Sequence, residues 1–165
     1  MVIKRMAELP FSALMEIYRE GNAENGAQRY PQRLEAEQQR CAEADFYSYL
    51  LDTFFRVPDA AYCIWEDGGR AVSALRLEPY RDGWLLEALE TVPELRGRGY
   101  ARALICAVQQ ELRAQGKPCV YSHVSRRNAA SMAVHARCGF RQVQDYGVYL
   151  DGSVNRSAVT LCWRT

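Results

Sequence analysis

The chain has 165 residues, 48% of them hydrophobic, which suits one domain with a buried core of its own. Its 21 Lys and Arg stand against 20 Asp and Glu for a formal net charge of +1, which excludes a general nucleic-acid binder. Six scattered cysteines without a C-x-x-C pair and only two histidines exclude a zinc site, and no apolar run approaches the ~20 residues of a membrane span. The expected protein is soluble and cytoplasmic, with reduced thiols, no metal, and neither nucleic acid nor membrane as partner.

In chain order, "MVIKRMAEL" starts as a strand and "PFSALMEIYREG" predicts a helix with Phe11, Leu14, Met15, Ile17 and Tyr18 on its apolar face, ending before Gly21. A second helical region runs from about Leu34 to Phe55. Two β-type runs then flank Asp67-Gly68-Gly69, a hairpin signal, and "YRDG" turns the chain into a third antiparallel strand, "WLLEALETV". Ala101, Leu104, Ile105, Val108 and Leu112 fall at helical spacing before Gly116 and Pro118 end the helix and "CVYSHVS" follows as a buried strand. A short helix in "RRNAASMAVHARCGF", stopped by Gly139, and a closing hairpin around Asp151-Gly152 complete the order β-α-α-β-β-β-α-β-α-β-β. That order implies an α+β sheet.

The most informative stretch is "TVPELRGRGYARALI", residues 91–105. Gly97 and Gly99 free the backbone to curl its N–H groups toward one point, and the helix that begins there adds its own unpaired N–H groups and dipole. With Arg96, Arg98 and Arg102 alongside, the expected guest is a phosphate or pyrophosphate. A Walker A loop is excluded because Tyr100-Ala101 stands where Lys-Ser/Thr is needed, and a dinucleotide fingerprint fits poorly because Arg102 takes the last small-residue position.

"PELRGRGYA" resembles the R-G-x-G-x-A/G loop of the GNAT superfamily of acyl-CoA-dependent N-acetyltransferases, and "NAASMAVHARCGF" resembles that family's N-x-x-(A/S)-x-x-x-Y-x-x-x-G-F helix at Asn128, Ser131, Gly139 and Phe140. The resemblance implies a single-domain GNAT-like fold over residues 1–165, with a mixed, mostly antiparallel central sheet flanked by helices. It implies an acetyl-CoA-binding core in residues 84–140 and acceptor-side helices in about 10–57. The cofactor-binding residues it implies are Thr91, Val92, Arg96, Gly97, Arg98, Gly99, Tyr100, Ala101, Arg102, Asn128 and Ser131. Asn128 also suits an N-cap, and the two roles are compatible.

Acetylating an amine requires a base, a polarised thioester carbonyl and a leaving thiolate. Glu87 is the preferred base and Glu90 the alternative, since carboxylates inside "WLLEALETV" are unusual and desolvation would raise their pKa. Strict alternation puts the two on opposite faces, and the resemblance implies a bulge in this strand. Carbonyl polarisation is expected from a main-chain N–H near Glu90 and Thr91. His135 stands where many family members carry a Tyr; helical spacing puts it on one face with Asn128 and Ser131, as a proton donor or as a packed histidine. Tyr100, Tyr146 and Tyr149 are reserve donors. Glu24, Glu35, Glu37, Glu43, Asp45 and Asp52 lie among aromatic residues in 20–59, a mixture that suits a cationic amine with an apolar part or simply a solvated acidic helix face. The expected function is direct acetyl transfer from acetyl-CoA to a primary amine of a small molecule. A non-catalytic acyl-CoA-binding module and a protein or peptide N-acetyltransferase are the alternatives, and a homodimer is allowed.

Overall fold

Leu104, Ile105, Val108 and Leu112 recur at helical spacing because they form the buried stripe of one long helix, and the alternating strands around them supply the sheet it covers. In the computed structural model, which describes residues 1–164, the chain runs β1 (Val2–Ile3), α1 (Phe11–Ile17), α2 (Arg19–Arg29), α3 (Glu35–Asp52), β2 (Ala61–Asp67), β3 (Arg70–Tyr80) and β4 (Gly83–Thr91). It continues with α4 (Tyr100–Ala114), β5 (Cys119–Ser125), α5 (Ala129–Arg137), β6 (Arg141–Gln144), β7 (Gly147–Val148), β8 (Val154–Asn155) and β9 (Ala158–Arg164). Thr165, the last residue of the expected domain, lies outside the described residues.

A seven-stranded sheet has the order β1-β2-β3-β4-β5-β9-β6, antiparallel except where β4 meets β5. On one face α4 and α5 pack over Leu75, Leu86, Val120 and Leu161. On the other, Leu14, Ile17, Leu50 and Phe54 of the N-terminal segment pack over Tyr62, Ile64 and Ala74. This is the mixed, mostly antiparallel α+β sheet expected. No helix among the described residues is long and apolar enough to cross a membrane.

Two expectations are corrected. The N-terminal helix ends before Gly21, at Ile17, but Gly21 is not a break: an unexpected α2 starts at Arg19 and runs through Gly21 and Gly26. Close packing overrides the low helix propensity of glycine here, because a Cβ at Gly26 would stand 2.6 Å from the Gln38 carbonyl oxygen of α3. At the other end, the closing hairpin is split. Strand β9 inserts between β5 and β6, while the tip around Asp151-Gly152 forms its own ribbon of β7 and β8. Tyr80 Oη and His123 Nε2 both donate to the Val148 carbonyl, which holds that ribbon against β5.

Candidate active site

Parallel β4 and β5 pair only at Trp84↔Val120, Leu85↔Tyr121 and Leu86↔Ser122; beyond these positions they splay apart. The β5-facing edge of Glu87–Glu90 therefore borders a wedge instead of a partner strand. Strand β4 also carries a bulge. Arg76 of β3 lies opposite Glu87 and Ala74 opposite Glu90, so Ala88 and Leu89 together oppose Leu75, and Ala88 takes a left-handed φ of 50°. Because Ala74 and Arg76 share a face of β3, the bulge puts Glu87 and Glu90 on the same face of the sheet, as the resemblance implied.

The glycine loop lies at the end of β4. Gly97 and Gly99 have φ of 78° and 87°, and a Cβ at either position would meet nothing within 4 Å, so the curled backbone looks onto open space. No backbone acceptor among the described residues takes the N–H groups of Gly97 to Arg102; the first bonded one is Ala103 N–H, to the Gly99 carbonyl. Six backbone donors and a helix start are thus left without a backbone partner beside open space, as an anion site requires. Arg98 and Arg102 are exposed and pair with no carboxylate among the described residues. Arg96 is turned the other way, toward Glu20 at 2.6 Å and Glu90 at 3.4 Å. Tyr100 Oη donates to Asp67.

Thr91 and Val92 are buried, with Thr91 Oγ1 3.0 Å from Ser73 Oγ. Both main-chain groups of Val92 are already bonded, its N–H to Val72 and its carbonyl to Leu95. Val92 therefore offers a ligand no free polar group, which sets it apart from the other residues expected at the cofactor.

Asn128 caps α5, its Oδ1 accepting the Ser131 N–H at 2.9 Å, and from this cap Asn128, Ser131 and His135 descend one face of the helix into the wedge. The His135 ring is 1% exposed and stands edge-on to Phe140. Its Nδ1 lies 2.8 Å from the Ser131 carbonyl, which only accepts, so Nδ1 carries the proton and Nε2 holds a lone pair. That Nε2 is buried without a hydrogen-bond partner among the described residues. Burial also lowers the His135 pKa, outweighing the bond to Ser131. In this tautomer the ring donates through Nδ1 and is free to accept at Nε2, and its burial against Phe140 is that of the packed histidine that the sequence also allowed.

Two cavities meet at the bulge. The wedge is lined by Glu87, Ala88, His123, Asn128, Ser131 and His135 among others. On the α1–α3 side, a cavity of about 440 Å³ is lined by Tyr18, Gly21, Asn22, Asn25, Phe46, Tyr49, Arg76 and Ala88. Ala88 belongs to both, and its carbonyl accepts a 2.6 Å bond from Tyr18 Oη. Glu87 stands at this junction with its side chain 20% exposed, 3.6 Å from Arg76. Desolvation raises its pKa, and the Arg76 charge offsets only part of that. The Glu90 pKa is raised for the same reason against Arg96, but its side chain is 45% exposed. Tyr146 is exposed and lines neither cavity. Of the acidic residues in 20–59, none lines the α1–α3 cavity.

A family model described as the acetyltransferase (GNAT) family matches residues 14–140. The chain belongs to that family. As a GNAT protein it shares its fold with many solved structures. One is the PaiA N-acetyltransferase of Thermoplasma acidophilum in complex with coenzyme A: TM-score 0.68 and 15% identity, covering 100% of this chain and 98% of that one. Another is the IAA acetyltransferase of Bacillus cereus ATCC 14579, with TM-score 0.63 and 14% identity over 100% of both chains. The ribosomal-protein-S18-alanine N-acetyltransferase of Escherichia coli matches over 74% of this chain and 76% of its own, with TM-score 0.54 and 20% identity. At these identities the likeness concerns the fold. A search of curated protein sequences gives no match.

Sequence reasoning about this GNAT chain missed Arg76, Tyr18 and His123, while Phe46 and Tyr49, two of the aromatic residues in 20–59 expected near the acceptor, do line the cavity. Arg76 had a legible signal: in "RAVSALRLEPY" it and Glu78 are charges at alternate positions among apolar residues, on the face that Glu87 shares. Tyr18 had none, since aromatic residues at helical spacing read as core.

Proposed function

We propose that this GNAT chain is an N-acetyltransferase that moves the acetyl group of acetyl-CoA to a primary amine of a small molecule by direct attack. The observation that carries this reading is the junction at Ala88, where the wedge between β4 and β5, a cavity of about 160 Å³, meets the acceptor-side cavity beside a desolvated carboxylate. Residues 84–140 hold the cofactor and residues 10–57 wall the acceptor. The free N–H groups of Gly97–Arg102 suit a pyrophosphate, and the orphaned His135 Nε2 suits an N–H or S–H donor in the wedge. Both features fit coenzyme A, which the Thermoplasma protein of the same fold holds.

Bound acetyl-CoA supplies an activated acyl carbon, to which the amine nitrogen bonds as the C–S bond breaks. Glu87 takes the proton from the ammonium, directly or through a water, at the mouth of the acceptor cavity. Main-chain N–H groups on the wedge edge of β4 polarise the carbonyl, held ready by the splay of the strands. Neutral His135 accepts a hydrogen bond from an amide N–H of the coenzyme A arm, while the thiolate released from the C–S bond takes up the second proton of the attacking nitrogen, directly or through water. A thiol of pKa near 8.5 leaves without an obligatory acid.

Release of free thiol from acetyl-CoA over a panel of amines tests the reading, together with calorimetry of coenzyme A on the parent and Gly99→Val. Turnover with at least one amine is expected, and the variant, still folded, should bind coenzyme A at least roughly tenfold more weakly because a β-branched side chain fits neither the backbone angle nor the phosphate space. Undiminished binding by the variant would remove the loop from the site. Tight binding by the parent without turnover of any amine would make the chain a non-catalytic acyl-CoA-binding module.

A further inference from the structure

Arg76 is an unusual floor for a cavity. It sits mid-strand in β3, its side chain only 14% exposed, with its guanidinium 4.9 Å from the Tyr49 ring centre and 5.6 Å from that of Phe54. A buried guanidinium keeps its charge, so its donors need partners. The nearest carboxylate oxygen, on Glu87, is 3.6 Å away, too long for a charge-assisted hydrogen bond, and Nε is buried with no partner among the described residues. Across the ladder, the Tyr62 hydroxyl is also buried and unpartnered. Arg76 gives the acceptor-side cavity a cationic wall, lined further by Asn22 and Asn25.

The charges are arranged as a pair: Arg76 lines the acceptor cavity and Glu87 lines the wedge, a few ångströms apart across Ala88. A zwitterion in which a carboxylate and an ammonium are one carbon apart matches that spacing and polarity, carboxylate on Arg76 and ammonium on Glu87. The rest of the cavity offers Tyr18, Phe46 and Tyr49, which suit an apolar or aromatic substituent. We propose that the acceptor is a free α-amino acid with an apolar side chain, selected by its carboxylate through Arg76. This rests on the acetyltransferase reading above and narrows its acceptor. Binding also has a chemical consequence. A carboxylate that engages Arg76 withdraws the cation that stabilises ionised Glu87, so Glu87 becomes a stronger base when the amine arrives.

The experiment compares kcat/KM for phenylalanine, phenylalanine amide, phenethylamine and a peptide with N-terminal phenylalanine, in the parent and in Arg76→Lys and Arg76→Gln. In the parent the free amino acid should exceed the carboxylate-free amines by roughly hundredfold or more, as expected where buried donors lose their partner. Within each variant the same ratio should collapse toward one, so a general loss of activity does not disturb the reading. In case the variants do not fold, 3-phenylpropanoate should compete with the acceptor in the parent and 3-phenylpropanamide should not. Equal or better turnover of the amide, amine or peptide by the parent overturns the proposal while leaving an acetyltransferase. A ratio unchanged in a folded Arg76 variant overturns the role of Arg76. No turnover of any amine removes the enzyme reading itself, and the proposal with it.

Discussion

Glu87 and Glu90 are three residues apart, on one face, and both are pushed toward the neutral form by desolvation, yet their surroundings differ. Glu90 is nearly half exposed and tied to Arg96, which itself reaches Glu20. Glu87 is the more deeply placed, at the junction of the cavities. Glu87→Gln keeps size and removes the proton acceptor, so kcat should fall by roughly 10²-fold at neutral pH and partly recover at high pH, where free amine already exists, with coenzyme A affinity kept. Glu90→Gln should cost less than about tenfold. The sign of the pH effect follows from the raised pKa: the base works only when ionised, so activity rises with pH through a limb above the ordinary Glu value of about 4.3. Full loss in Glu90→Gln and none in Glu87→Gln would exchange the two roles. Both acids were legible in the sequence as charges in an apolar strand. Their shared face was not, because a bulge is a property of strand pairing that alternation alone does not reveal.

Among the elements, α2 carries the sharpest contrast. Gly21 and Gly26 are both helical, and alanine at either relieves the entropic cost of glycine, about 1 kcal/mol. A Cβ at Gly21 meets nothing within 4 Å, whereas at Gly26 it would stand 2.6 Å from the backbone of Gln38. Gly21→Ala should therefore raise stability by roughly 0.5–1 kcal/mol, and Gly26→Ala should lower it by about 1–3 kcal/mol through forced separation of α2 from α3. Denaturant midpoints of both variants check this; destabilisation by Gly21→Ala would mean α2 is not helical at that point. The sequence presents Gly21 as a helix stop and says nothing of Gly26. Helix ends near glycine depend on what packs against them, and that partner is Gln38, twelve residues further along.

For the molecule as a whole, the wedge is a weak joint in the middle of the sheet, where β4 and β5 share only three paired positions. A ligand that bridges their splayed edges and the starts of α4 and α5 ties the two halves together. At one hundred times its Kd, coenzyme A should stabilise the fold by about 2.7 kcal/mol. In a chain of this size that corresponds to a rise in Tm of roughly 5–10 °C. Thermal melts with and without coenzyme A measure it, and a shift below about 1 °C at saturation would argue that the wedge is not the binding site.

By itself the sequence determined what depends on neighbours along the chain. The period of apolar residues gave α4 and the β2–β4 meander, paired glycines beside a helix start gave the anion loop, and Asn128 gave the cap of α5. These follow from local sterics and hydrogen bonding, which need no distant partner. Only the tertiary structure decided the rest: β9 entering between β5 and β6, Arg96 turning to Glu20, the neutral tautomer of His135 against Ser131, and Arg76 meeting Glu87 across the bulge. Each of these depends on burial or on a pairing register, and both are set by the packing of the whole chain.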